Sequence, residues 1–502
     1  MFLTDSWNAR DSAILVAITA LTRWAFRSCF LYDIDSVNFA LALDRFDPRV
    51  YQPHPPGYFL YVQLGTLAHS IFHDPNTALV AVSILASCAT VAMIHLLASA
   101  WFGRSAAAFA GIIFVFSPLA WFHGTVALTY IVEAFFSALV GYLCWRIYCG
   151  AAQFAIPAAV ALGVAAGFRQ SSLLVLAPLV VYSFGRVSRR RAIGGMVAVL
   201  VVLAAWSIPM IHVSGGLHAY VSSLWTLWTL VPARQTVLTS SIATSLVRIC
   251  LIVAIYGFCF GSAALLIFRR SKGSSRSGAK AFTWIWISPG LLLFTLVYLK
   301  FVNSGYLLVL LPPACVWVGS WAADWYMRTP LKQTAKIILV AAAAAMNVLI
   351  FVRVPLYCSY WQVRQSQKQL AVVVASIRQI SQPRQTFLIG FDSHFQGYRH
   401  AGFYLPEYLT IQFPEVPLGS TTGVFAMQNR QTTLANQIAV GSFRDFILFP
   451  LPPSEREYAD YMNRIRARFP AGELHVTTQN GIEFLSGPIR SLPALFPNTI
   501  IF

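Results

Sequence analysis

Apolar residues run along this chain in long blocks, broken by short polar stretches, until about residue 355, where the pattern changes. A bilayer core needs about 20 apolar residues per helical crossing. On that measure the blocks predict membrane segments at 12–29, 76–101, 104–122, 127–149, 153–168, 171–185, 192–213, 244–268, 281–300, 304–326 and 336–354. Two of them, 153–168 and 171–185, are short. They read as half-depth helices meeting at Gly167-Phe168-Arg169-Gln170, an interruption that a membrane tolerates only where protein or a cavity covers the broken backbone. The apolar run at 57–72 is assigned instead to an embedded surface helix, because a crossing there would reverse every later loop.

Beyond 355 the chain alternates short strand-like runs with helical ones. FLIGFD (387–392), FILFPL (446–451) and IEFL (482–485) have the look of buried strands. Residues 361–380 and 454–469 have helical periodicity, the second with Ser454 as N-cap and Glu457 three residues on. The expected architecture is therefore an α-helical polytopic membrane domain over 1–355, with about eleven spans and a long first loop at 30–75. A small α/β domain outside the membrane follows over 356–502.

Charge fixes the orientation. The chain is 57% hydrophobic and 11% charged, against roughly 25% charged for a soluble protein. Its mean hydropathy is +0.63. The net charge of +18 does not point to nucleic acid, because Lys and Arg cluster in alternate loops. With the N-terminus cytoplasmic, Arg104, Arg146, the 186–191 run, the 269–280 loop and 328–336 all fall inside, in accord with the positive-inside rule. The C-terminal region then lies outside, periplasmic if the membrane is a bacterial plasma membrane. The N-terminal segment shows no cleavage pattern and reads as a retained first helix. The eight cysteines have neither metal nor disulfide spacing and read as packing residues.

Acidic residues are scarce in the membrane part, so each is informative. Glu133 is the one carboxylate between Asp74 and Asp324; it either pairs with an interfacial Arg or faces a wet cavity and orients substrate. The first loop carries Asp33, Asp35, Asp44 and Asp47. Apolar spacing from Ser36 to Phe46 predicts a helix along the membrane surface, with Asp35 at its N-cap position. His54-Pro55-Pro56-Gly57-Tyr58 opens a second helix, its prolines in the first turn. Asp33-x-Asp35 alone makes no metal site. Three cations in or near external segments, Arg169, Arg234 and Lys300, either snorkel to the interface or bind phosphate. His54 and Tyr306 either make ordinary loop and interface contacts or touch substrate.

In order, these motifs resemble the GT-C class of glycosyltransferases, in particular the protein O-mannosyltransferases and the aminoarabinose transferases that modify lipid A. The resemblance is carried by Asp35-Ser36-Val37-Asn38-Phe39-Ala40, His54-Pro55-Pro56-Gly57-Tyr58, Trp101-Phe102-Gly103-Arg104, the Glu133 region, Gly167-Phe168-Arg169 and Gly305-Tyr306-Leu307-Leu308, across about the first 350 residues. Two positions depart from it: those families often have Asp-Glu where this chain has Asp35-Ser36, and their second acid is often Asp where this chain has Glu133.

The resemblance implies an inverting enzyme that moves a sugar from a polyprenyl phosphate to a lipid, glycan or protein acceptor at the external face. Asp35 is then the general base and Glu133 the second catalytic acid. Arg169, Arg234, Lys300 and Tyr306 hold the donor phosphate and lipid, and Asp33 and His54 position the loop or acceptor. The partners it implies are membrane lipid and the polyprenyl-phosphosugar as donor substrate; no cofactor is assigned, and a divalent metal is left open but not indicated. The competing reading is a multi-span transporter or lipid flippase. Such proteins tend to carry paired repeats, which this chain lacks.

Overall fold

The computed structural model describes residues 8–230, 236–266, 278–296, 304–413, 424–435, 438–451, 463, 465, 473–490 and 500–501. Helices run in the order α1 (Ala9–Ala25), α2 (Ile34–Asp44), α3 (Phe59–Phe72), α4 (Pro75–Phe102), α5 (Arg104–Val115), α6 (Pro118–His123), α7 (Tyr130–Tyr148), α8 (Ala155–Phe168), α9 (Ser171–Phe184), α10 (Arg189–Val213), α11 (Leu217–Leu230), α12 (Ile242–Phe260), α13 (Ala279–Leu296), α14 (Leu311–Arg328), α15 (Gln333–Arg353), α16 (Tyr360–Ile380) and α17 (Tyr398–Tyr404). The chain divides into two compact units, one of residues 1–28 with 55–362 and one of residues 29–54 with 363–502. The long first loop is thus shared between them.

In the first unit, seven helical stretches are long and apolar enough to cross a membrane, among the described residues. Each of the eleven predicted segments is mainly helical where it is described. The segment expected at 104–122 is two helices, α5 and α6, and the one at 304–326 begins as a 3-10 turn over Ser304–Leu310 before α14. Apolar side chains such as Leu200, Val201 and Ile208 on α10 and Ile337, Ile338 and Leu349 on α15 are exposed, as lipid-facing positions are. Helix α3 is about 21 Å long at 1.5 Å per residue, shorter than a ~30 Å bilayer core. It buries Tyr61, Val62 and Gly65 and leaves Leu67, Ile71 and Phe72 outward.

The inner helices α4, α5, α7 and α14 pack closely through small residues, because apolar lipid gives no hydrophobic drive and contact must come from fit. At Gly319 on α14, an added Cβ would lie 2.6 Å from the backbone nitrogen of Ala110 on α5. Backbone cannot swing aside as a side chain does, so Gly319→Ala must part the two helices. We expect about 1–3 kcal/mol of lost stability, read as a lowered Tm in detergent. Gly194→Ala on α10 meets open space and is expected to leave Tm unchanged or slightly raised; equal effects at both positions would refute the packing argument.

The second unit is built on a mixed seven-stranded sheet. Its strands are β1 (Thr386–Gly390), β2 (Thr410–Gln412), β3 (Val424–Gln428), β4 (Gln431–Ala435), β6 (Asp445–Leu448), β7 (His475–Gln479) and β8 (Ile482–Pro488), in the order β4-β3-β2-β1-β6-β8-β7. Two short strands, β5 (Ile438–Ala439) and β9 (Ile500–Ile501), pair separately. Central β1 runs parallel to β2 and β6 and is buried throughout, which is why its sequence is an unbroken apolar run. Its side chains alternate between two cores. Phe387 and Ile389 join Ile411, Phe446 and Leu448 on one face. Leu388 joins Ile447, Phe484 and the Leu370, Val373 and Ile377 stripe of α16 on the other. The helix expected at 454–469, with its Ser454 and Glu457 cap, lies outside the described residues apart from 463 and 465, both helical.

Helix α2 departs from expectation in two ways. Its N-cap is Asp33, not Asp35: the Asp33 carboxylate accepts a hydrogen bond from the Asp35 backbone N–H at 2.8 Å. Its apolar residues, Val37 to Ala42, are buried by protein on all sides, so it is a core helix and not one lying on a membrane surface. The prolines of His54-Pro55-Pro56 also sit outside any helix. The turn they form carries cis bonds at Gln52-Pro53 and Pro55-Pro56, and α3 starts only at Phe59 after Tyr58 at φ 46°.

Candidate active site

Two groups of polar side chains stand out, one in each unit. In the second unit the group centres on Asp35. With Asp33 acting as the cap, Asp35 sits in the first turn of α2 with its own carboxylate uncommitted to the helix end. Its side chain keeps 29% of its exposure, and Oδ1 lies 3.2 Å from Nδ1 of His54. The His54 ring is set against Phe39, five residues into the same helix from Ile34. A partly exposed carboxylate 3.2 Å from an imidazole nitrogen is placed where an incoming hydroxyl can reach it. The other loop acid, Asp47, is spent on structure. Burial alone would raise its carboxyl, but hydrogen bonds from Arg49 and the charge of Arg45 hold it below the ordinary carboxylate range. It also caps the 3-10 turn Pro48–Val50.

In the first unit the group centres on Arg169, at the predicted helix interruption. Helix α8 ends at Phe168, Arg169 is extended (φ −156°), and α9 starts at Ser171. Arg169 is 4% exposed, so its charge needs a partner. Its Nε lies 3.0 Å from Oε2 of Glu133 and its Nη1 donates to Thr129 Oγ1 at 2.8 Å. The guanidinium carbon lies 4.3 Å from the ring centre of Tyr130, 4.5 Å from Tyr306 and 5.6 Å from Tyr58, within cation–π range of all three. The other Glu133 oxygen accepts from Ser171 Oγ at 2.9 Å and Ser172 Oγ at 3.0 Å. Of the two expectations for Glu133, pairing with an arginine is observed: the carboxylate is buried and its oxygens meet Arg169, Ser171 and Ser172. Gly305 permits the closeness of Tyr306, since a Cβ there would run into the Tyr130 ring and the His123 imidazole.

The predicted residues therefore fall into two sets, Asp33, Asp35 and His54 in one and Glu133, Arg169 and Tyr306 in the other. Arg234 and Lys300 lie outside the described residues. Sequence reasoning missed Tyr58, Thr129, Tyr130, Ser171 and Ser172. Tyr130 and Glu133 are three apart on α7, hence on one face, and Ser171-Ser172 directly follow the interruption; those spacings were the available signals. Among the described residues no group of three His, Cys, Asp or Glu suits a metal ion.

Residues 49–191 match the family model described as protein O-mannosyl-transferase TMEM260 N-terminal domain. The structure resembles that of ArnT from Cupriavidus metallidurans bound to undecaprenyl phosphate, at a TM-score of 0.57 and 12% identity, covering 95% of this chain and 97% of that one. The apo form of the same protein gives a TM-score of 0.57 and 13% identity over the same shares of the two chains, 95% and 97%. An oligosaccharyltransferase from Archaeoglobus fulgidus aligns with a TM-score of 0.48 at 12% identity, over 82% of this chain and 65% of that one. Among curated proteins, none matches by sequence.

Proposed function

We propose that this chain is a membrane glycosyltransferase of the GT-C class, an inverting enzyme whose donor is a sugar on polyprenyl phosphate, a reading supported by the family match over 49–191 and by the likeness of fold to ArnT. The lipid carrier is inferred from the likeness to ArnT, a protein whose structure holds bound undecaprenyl phosphate. The observation that carries the chemistry is the freed carboxylate of Asp35 beside His54. Asp35 takes the proton of the acceptor hydroxyl as that oxygen attacks the anomeric carbon. The bond from this carbon to the phosphate oxygen breaks, and polyprenyl phosphate leaves with the electron pair. One displacement inverts the anomeric configuration.

Arg169 is the cation we assign to the departing phosphate. An arginine has five N–H donors; Glu133 and Thr129 engage two groups of the guanidinium and fix its plane, and the rest are offered to phosphate oxygens. Tyr306 holds the guanidinium from one face; Arg234 and Lys300 are proposed as further phosphate contacts. Asp33 serves by capping α2, and His54 by orienting Asp35. We place the protein in a bacterial plasma membrane with a cytoplasmic N-terminus, a periplasmic C-terminal domain and the reaction at the periplasmic face. The acceptor is a lipid, glycan or protein hydroxyl.

The test is transfer in proteoliposomes containing the purified chain. Polyprenyl-phosphate-linked sugars are expected to be consumed, with stoichiometric release of polyprenyl phosphate and inverted product stereochemistry by NMR. Consumption of a nucleotide sugar in their place, or retention of configuration, would exclude this reaction. Transport of the intact lipid without cleavage is the result that favours a flippase.

A further inference from the structure

The loop bearing Asp35 and His54 is held by one short segment more than 340 residues away in sequence, within the second unit. Two hydrogen bonds fix the start of the loop. Leu31 N–H donates to the Tyr404 hydroxyl at 2.7 Å, and Ile34 N–H donates to the His394 carbonyl at 2.8 Å. The ring of Phe30 packs on Tyr404 and that of Tyr32 on Phe395. The end of the loop is fixed by Arg399. This cation is 1% exposed, and a hydroxyl and a carbonyl hold it: Nη1 donates to Thr432 Oγ1 at 2.8 Å and Nη2 to the Val50 carbonyl at 2.7 Å. Tyr398 and Phe425 lie 5.0 and 5.4 Å from its guanidinium carbon.

Val50 belongs to a closed turn. Asp47 and Gln52 exchange backbone hydrogen bonds of 2.6 and 3.0 Å across it, and Tyr51 is left-handed at φ 58° with its ring against Phe425. The turn is a stiff arm from Val50 toward His54. Segment 394–404 thus grips both partners of the Asp35–His54 contact, one through residues 31–34 and the other through residue 50. Burying a charge to hold a loop carbonyl is costly, and domain packing alone does not need it, since the β1 core is already apolar on both faces.

We propose that Arg399 and Tyr404 are positioning residues, and that the C-terminal domain acts in catalysis by holding the loop that sets the Asp35–His54 distance. This rests on the reading of Asp35 as the base.

The experiment uses the full chain in nanodiscs, with Arg399→Met, Arg399→Lys and Tyr404→Phe, the last removing one hydroxyl and leaving the ring. Amide hydrogen exchange reads peptides spanning 29–54 against the strands 386–390 and 445–448, and turnover is measured alongside. A lost hydrogen bond of about 1 kcal/mol is about fivefold, and one to a charged group is tenfold or more. Arg399→Met is expected to speed exchange in 29–54 about tenfold and to lower kcat similarly, with strand protection intact and donor KM within about twofold. Tyr404→Phe does the same about fivefold, and Arg399→Lys retains more turnover than Arg399→Met.

Unchanged exchange in 29–54 for both Arg399→Met and Tyr404→Phe overturns the clamp. So does strand exposure in Tyr404→Phe equal to that of the loop, which would make these residues plain folding determinants. If the loop loosens and kcat holds while Asp35→Asn is inactive, the positioning role fails. If Asp35→Asn is itself fully active, the reading of the base fails instead, and exchange alone still reports on the clamp.

Discussion

Asp35→Asn is expected to lower sugar transfer by about 10²–10⁴-fold, the usual worth of a general base, with little change in the folded state. The second half of that statement follows from the cap. Asp33 supplies the hydrogen bond at the start of α2, so the amide at 35 removes a proton acceptor and leaves the helix end satisfied. The Asp35 side chain is partly exposed, and asparagine there buries no new unpaired group. Asp33→Ala has the complementary signature. It removes a cap worth about 0.5–2 kcal/mol and so lowers Tm, and its effect on rate follows from disorder of the loop. Initial rates of polyprenyl phosphate release, with Tm measured on the same preparations, separate the two. Full activity in Asp35→Asn would remove this carboxylate from the chemistry.

The inversion of roles between Asp33 and Asp35 shows where sequence reading stops. Both are aspartates two residues apart at the start of an apolar run, and either is a good N-cap. The choice depends on where the first helical turn begins, and that is set by tertiary contacts such as Ile34 N–H to the His394 carbonyl, which no local pattern contains. The same holds for α2 as a whole. Its apolar face reads as a surface helix until the C-terminal domain covers it.

By contrast, the broken helix at Arg169 was legible, because a cation flanked by two short apolar runs has few physical explanations. The buried strands β1 and β6 were legible too, as unbroken apolar runs. The hairpin of β7 and β8 had a local signal in Asn480-Gly481, whose positive φ angles of 52° and 77° suit a two-residue turn; the β3–β4 hairpin turns on Asn429-Arg430, a pair with a weaker signature. Arg399 had no signal at all. An arginine in a soluble-looking domain reads as surface, and only the fold shows it buried against Val50.

The second large effect concerns Glu133 and Arg169, and there the double variant is more informative than either single one. Removing one partner of a buried ion pair leaves an uncompensated charge, which costs about 3–5 kcal/mol. Glu133→Gln strands the Arg169 cation among Tyr58, Tyr130 and Tyr306. Arg169→Met strands the Glu133 carboxylate, left among the described residues with Ser171 and Ser172. Both single variants are expected to lose Tm steeply in detergent. The Glu133→Gln/Arg169→Met pair removes both charges together, and its stability is expected to return to within about 1–2 kcal/mol of the parent, since a buried pair often contributes little over apolar replacements. Activity separates from stability at this point. If Arg169 meets the departing phosphate, the refolded double variant stays slow, by about 10²-fold or more for loss of one charge-stabilising donor. If the pair only holds α7 to the α8–α9 junction, the double variant recovers rate along with Tm. A double-mutant cycle run on both readouts gives the two answers from one set of proteins: a coupling energy in stability of several kcal/mol, and in rate either the same coupling or an uncompensated loss that belongs to Arg169 alone.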